Sequence, residues 1–140
     1  MDDLLLTGGR VVDPSQDLDG PADVAFADGK VTAVGPDLKG RQARETRDVS
    51  GKIVVPGLVD LHAHVYWGGT YLGVPAEPVA RRSGTTTFID AGTAGAGTFE
   101  GFLRFIIERS ELRILAFLNI SHPGIFGYGP GFMFGETSNI

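Results

Sequence analysis

The sequence predicts an α/β protein that begins with a small antiparallel β layer and continues as βαβ units on a parallel sheet. Three observations carry that prediction. Residues up to about Lys52 read as short apolar runs separated by glycine and proline turns. Beyond Pro56 the order becomes strand, helix, strand, helix, strand, which requires parallel pairing. Each of the three later strands ends in polar residues: His62 and His64, then Asp90, then Asn119 with Ser121 and His122 just beyond.

In the first part, Leu4-Leu5-Leu6, Gly8-Gly9 and Arg10-Val11-Val12 predict a hairpin, and Asp13-Pro14-Ser15 a loop. Val24 to Ala27, Asp28-Gly29 and Lys30 to Val34 predict a second hairpin, because Asp-Gly between two alternating runs favours the positive φ that a two-residue turn needs. The charged stretch 40–48 reads as a solvated edge, with Arg41, Arg44 and Arg47 on it. Ser50-Gly51 turns the chain and Lys52-Ile53-Val54-Val55 resumes a strand. The expected division is therefore 1–52 and 53–140.

In the second part, residues 58–63 are apolar apart from Asp60 and His62, as in a strand buried on both faces. Residues 65–71 form an aromatic, glycine-rich loop. Residues 75–82 predict a helix with its prolines in the first turn, its arginines in the last, and Gly84 as the stop. The β-branched run 85–90 is the next strand, followed by a glycine-rich loop at 92–97. Thr98 is placed as the N-cap of a helix running to about Arg109, with Phe99, Phe102, Leu103 and Ile106 on its core face. Residues 113–118 make the third buried strand, and 124–140 read as loop.

Composition narrows the functions. A chain of 140 residues, 42% hydrophobic and 21% charged, is long enough for a real core. The net charge of -5 carries no basic footprint for nucleic acid and disfavours anionic membrane surfaces. Absence of cysteine excludes disulfides and thiolate metal sites. The acidic start Met1-Asp2-Asp3 shows no export signal, and no apolar run approaches the roughly 20 residues of a membrane span, so the expected location is the cytoplasm.

On an extended backbone alternate side chains share a face, so His62 and His64 point the same way with Asp60 one step behind. Two imidazoles at the end of a strand suit a divalent cation; the competing reading is a pair of core histidines bonded to carbonyls. Asp60 either orients an imidazole or pairs with neighbouring backbone, and Asp90 is either a rim contact or the cap of the following turn. Tyr66, Trp67 and Tyr71 either wall a pocket or cover the sheet. His122 is a further candidate near the metal, against a surface role. A phosphate site on Gly92 to Gly101 is the rival within enzymes, although neither dinucleotide nor P-loop spacing is present.

These residues resemble the amidohydrolase superfamily of metal-dependent hydrolases over nearly the whole chain. The resemblance rests on Gly8-Gly9-Arg10-Val11-Val12-Asp13-Pro14, Asp28-Gly29-Lys30-Val31-Thr32-Ala33-Val34-Gly35 and Val55-Pro56-Gly57-Leu58-Val59-Asp60-Leu61-His62-Ala63-His64. The runs Arg81 to Thr87, Asp90 to Gly97 and Leu115 to Ser121 look like its dihydroorotase-like deacetylase branch. It implies an N-terminal β-sandwich segment over 1–52 and, over 53–140, the first three βα units of a (β/α)₈ barrel, incomplete in this chain. It also implies one or two divalent metals, usually zinc, at the C-terminal rim, with His62 and His64 matching the first-strand ligands. A metal-activated water then hydrolyses an amide, cyclic amide or ester bond of a small molecule. Asp60, Tyr66, Trp67, Asp90, Asn119 and His122 are carried as residues near the ligands or the substrate.

The resemblance places a bridging carboxylated lysine, two more histidines and the general base on later barrel strands, beyond this chain. Lys30, Lys39 and Lys52 all fall in or beside the β layer, so none serves as that lysine. Tyr66 stands where a dihydroorotase is expected to carry an arginine, which argues against dihydroorotate as substrate. The portion alone is expected to be inactive, and the complete protein to be a homo-oligomer. A non-catalytic assembly or regulatory relative is the alternative outside enzymes.

Overall fold

The computed structural model describes residues 1–125; the loop expected over 126–140 lies outside the described residues. The chain divides into two compact units, Met1–Pro56 and Gly57–Ile140.

The first unit is one five-stranded sheet: β1 (Asp2–Asp13), β2 (Leu18–Ala27), β3 (Lys30–Gly35), β4 (Ala43–Asp48) and β5 (Ile53–Val54). Strands β1, β2 and β3 pair antiparallel in succession. The turn between β2 and β3 is the expected Asp28-Gly29, with φ of 52° and 70°. The first hairpin is elsewhere than expected. Gly8 and Gly9 lie inside a continuous β1, where the register slips between Leu6 and Gly9. Gly8 adopts φ +77° and donates its N–H to Asp23 Oδ1 at 2.9 Å, so the two glycines make a bulge and not a reversal. The chain reverses at a 3₁₀ turn, Pro14–Gln16, where Asp13 Oδ1 accepts from the N–H of Ser15 and Asp17 takes φ 52°.

The layer is also not wholly antiparallel, nor are its strands arranged as two sheets. β4 and β5 both pair parallel to β1, with Leu4 opposite Glu45 and Arg10 opposite Ile53. The sheet's apolar face gathers Val11, Ala22 and Val24, with Leu6, Leu18, Phe26, Val34 and Val54 against them. β4 is the charged edge expected from its arginines, although Arg41, just before it, pairs with a buried Asp2 at 2.7 Å.

The second unit holds a parallel sheet in the order β6 (Leu58–Ala63), β7 (Thr85–Asp90), β8 (Arg113–Ala116). Helix α1 (Ala76–Ser83) connects the first two and α2 (Phe99–Phe105) the second two. α1 has Glu77 in its first turn and Arg81 and Arg82 in its last, both favourable to the helix dipole. Gly84 closes it at φ 75°, its N–H bonded to Ala80. The core is Val65, Ala76, Ala80, Phe88, Ala94, Phe102 and Ile114. Among the described residues no helix is long and apolar enough to cross a membrane.

Four local expectations need correction. Residues 58–63 are not buried on both faces: Leu58, Val59 and Leu61 are exposed, because β6 has a ladder partner on one side only among the described residues. The third strand ends at Ala116, and Phe117 and Leu118 are exposed. The second helix breaks at Ile106, whose φ of −118° and ψ of −61° lead into a 3₁₀ turn at Ile107–Arg109; consecutive β-branched isoleucines suit a helix interior poorly. Thr98 sits at the N-cap but makes no side-chain cap bond. Its hydroxyl accepts from Gly95 N–H at 3.2 Å and lies 3.1 Å from the carbonyl of Pro123, joining two loops.

Candidate metal centre

Parallel pairing sends the C-terminal ends of β6, β7 and β8 to one edge of their sheet, and three loops start there. The loop after β6 is held by Ala91 N–H on the carbonyl of Ala63 and Val74 N–H on that of His64. The loops after β7 and β8 are laced together. Asn119 N–H bonds Ala94, Gly97 N–H bonds His122, and Ile125 N–H bonds Thr93, each through a carbonyl at 2.8 to 2.9 Å. This lacing needs the glycines, since a Cβ at Gly95 would overlap the carbonyl oxygens of Ser121 and His122.

His62 and His64 stand on this edge with ring centroids 5.6 Å apart and planes at 85°. Rings that close, two positions apart on extended backbone, lie on one side of the strand. His64 Nδ1 is 2.8 Å from Thr93 Oγ1. Thr93 Oγ1 in turn donates to Asp90 Oδ2 at 2.8 Å. Asp90 is wholly buried and accepts two further bonds, from the N–H of Val65 at 2.8 Å and of Thr93 at 2.7 Å. It therefore caps the turn after β7 and also reaches a histidine through Thr93. Thr93 had no place among the sequence candidates. The available signal was its spacing, since a hydroxyl residue three positions after a strand-end aspartate fits a capped turn.

The other candidates are placed as follows. Asp60 does not orient an imidazole; its Oδ1 accepts the backbone N–H of His62 at 3.0 Å. Tyr66 does not wall a pocket: it stacks on Phe102, centroids 4.7 Å apart, in space left by Gly69 and Gly101. Trp67 and Tyr71 are exposed. Asn119 uses both ends of its amide on the loops, donating to Gly92 O at 2.7 Å and accepting from Ser121 N–H at 2.9 Å. His122 is exposed and its ring lies over Gly97. In the phosphate reading two of the loop's donors are already taken, the N–H of Gly95 by Thr98 and that of Gly97 by the carbonyl of His122.

The donor set fits a divalent cation in part. Two imidazoles share one side of the strand, and the Nδ1 of His64 is engaged, which leaves Nε2 as its ring atom for a ligand. Among the described residues no third histidine or carboxylate joins them into a group of three, whereas a catalytic zinc ordinarily takes three protein ligands.

No family model matches the chain. A deacetylase of Agrobacterium fabrum is 42% identical over 98 residues, which cover 70% of this chain and 24% of that protein. The crystal structure of a dihydroorotase superposes with a TM-score of 0.76 at 37% identity, covering 89% of this chain and 32% of that one. A D-aminoacylase studied for its binuclear metal centre gives a TM-score of 0.53 at 34% identity, covering 69% of this chain and 19% of that one. The chain belongs to the amidohydrolase superfamily. It spans about a quarter of the length of the deacetylase it matches.

Proposed function

We propose that this chain supplies the first-strand ligands and adjoining rim of a metal-dependent hydrolase that cleaves an amide, cyclic amide or ester bond of a small molecule. The observation that carries the reading is the His62–His64 pair, side by side at the end of β6, with one ring already anchored. Deacetylase and aminoacylase are names for removal of an acyl group, and relatives so named share this part of the chain. His62 and His64 would hold the ion, zinc by the chemistry of two imidazoles without thiolate. When bound, a divalent ion supplies Lewis-acid polarisation of a carbonyl and lowers the pKa of water. The chain's own part is to fix two donor nitrogens on a rigid strand end and to exclude water behind them with Val65, Thr93 and Ala94, all buried.

Tyr66 supports an acyl substrate over dihydroorotate. An arginine at that position could present its guanidinium to a carboxylate, whereas the tyrosine is committed to Phe102. The remaining ligands and the base would come from later strands, so the 140 residues by themselves are expected to turn over no N-acetyl substrate. Metal-dependent turnover that survives chelation and repurification would overturn that part.

The test of the reading is zinc bound per chain after equilibration and desalting, measured on the natural chain and on the His62→Ala/His64→Ala double variant. Retention by the first and loss by the second is expected. Equal retention by both sinks the assignment.

A further inference from the structure

Behind His64 lies a buried chain of hydrogen bonds that decides where its ring proton sits. Asp90 and Thr93 are both 0% exposed. The Asp90 carboxylate accepts from Val65 N–H, Thr93 N–H and Thr93 Oγ–H, at 2.8, 2.7 and 2.8 Å. A carboxylate oxygen has no proton to give, and the threonine hydroxyl has only one. With that proton committed to Asp90 Oδ2, Thr93 Oγ1 faces His64 Nδ1 at 2.8 Å with a lone pair. Only an Nδ1–H completes the contact. The opposite tautomer would turn the hydroxyl proton toward His64 and leave two oxygens, Oγ1 and Oδ2, facing each other unbonded where no water enters.

We propose that Asp90 and Thr93 are positioning residues that hold His64 as its Nδ1–H tautomer, with the Nε2 lone pair available to a cation. The backbone makes the arrangement rigid. Asp90 is the last residue of β7, its carboxylate caps the turn in which Thr93 sits, and the carbonyl of Thr93 is held by the N–H of Ile125. The aspartate thus acts on the ring through a hydroxyl in place of direct contact. A ligating imidazole commonly gives its second N–H to an oxygen acceptor, and loss of such a partner typically costs about 10–100-fold in metal affinity.

This deepens the proposed function, and the experiment separates the two. Nitrogen-15 spectra of the metal-free 140-residue chain report the tautomer of His64 with no metal involved. The expected result is a protonated Nδ1 and a bare Nε2. In Thr93→Val, which keeps the side chain's shape and removes the hydroxyl, that preference should collapse toward a mixture of tautomers. Zinc, titrated by competition with a chelator, should bind about 10–100-fold more weakly. Thr93→Ser restores the hydroxyl and should recover both readouts; it also serves as the working comparison should the valine variant not fold. An Nε2–H tautomer in the natural chain, a valine variant with an unchanged tautomer, or a folded serine variant that has lost it overturns the proposal. A correct tautomer in a chain whose zinc is indifferent to His62→Ala/His64→Ala would leave the positioning role standing and sink the hydrolase reading instead.

Discussion

Two of the three buried carboxylates among the described residues, Asp90 and Asp2, are satisfied in opposite ways. Asp90 meets neutral donors, two backbone N–H groups and a hydroxyl. Asp2 meets a cation: Arg41 reaches it through Nε at 2.7 Å and Nη2 at 3.0 Å, and Thr32 Oγ1 donates at 2.9 Å. These bonds, the arginine's first, hold the Asp2 carboxyl at about 2, below its usual 3.8. A depressed carboxylate pKa stabilises the fold wherever the group is ionised in both states. The contribution is complete above the unfolded value and disappears as pH falls through the folded one. The difference in urea midpoint between the natural chain and Asp2→Asn should therefore be constant above about pH 4 and shrink between pH 4 and 2. A difference that grows on acidification would contradict the assignment of Asp2 to Arg41.

At the scale of elements, the parts legible in the sequence are those whose chemistry is local. Asp28-Gly29 specifies its own turn, Gly84 its own helix stop, and the run of threonines its own strand. The bulge at Gly8-Gly9 was not legible, because the same dipeptide suits a reversal and only the bond to Asp23, fifteen residues away, selects the bulge. The glycines of the rim divide in the same way, and a substitution series makes the division measurable. Gly84 has φ +75° with open space where a Cβ would go, so Gly84→Ala should cost only backbone strain, roughly 1–2 kcal/mol. At Gly97 the obstacle is the ring of an exposed His122, which can swing aside, so Gly97→Ala should cost less than about 1 kcal/mol. At Gly95 the obstacles are backbone atoms of Ser121, His122 and Gly124. Gly95→Ala must push two laced loops apart and should cost about 3 kcal/mol, the upper end for overpacking. Denaturant unfolding of the three variants checks the order, and a Gly95 variant as stable as the Gly97 one would refute the lacing.

For the molecule as a whole, what the sequence did not disclose is long-range partnership. The histidine pair was legible because alternation along one strand is enough to put two rings on a face. Thr93 is not legible in the sequence because its role exists only once β7 sets Asp90 opposite Ala63 and the following turn carries Thr93 to the ring of His64. Parallel return of β4 and β5 onto β1 likewise depends on pairings some forty residues apart along the chain. Burial of β6 is the sharpest case. Its apolar residues predict a strand covered on both faces, yet Leu58, Val59 and Leu61 are exposed, and so are Leu115 of β8 and Phe117, Leu118 and Ile120 just beyond that strand. Among the described residues the outer edge of β6 has no ladder partner, and an open edge flanked by exposed Leu58, Val59 and Leu61 is a template for another chain. Burying one such side chain is worth about 1.5–3 kcal/mol, so a surface of this kind should drive association of the 140-residue chain at micromolar concentration. Sedimentation velocity over a concentration series should show it. Leu61→Lys or Phe117→Lys, each placing a charge where the surface closes, should weaken that association by about tenfold or more. A chain that stays monomeric throughout the series and binds no apolar dye would mean that these side chains find cover within the molecule.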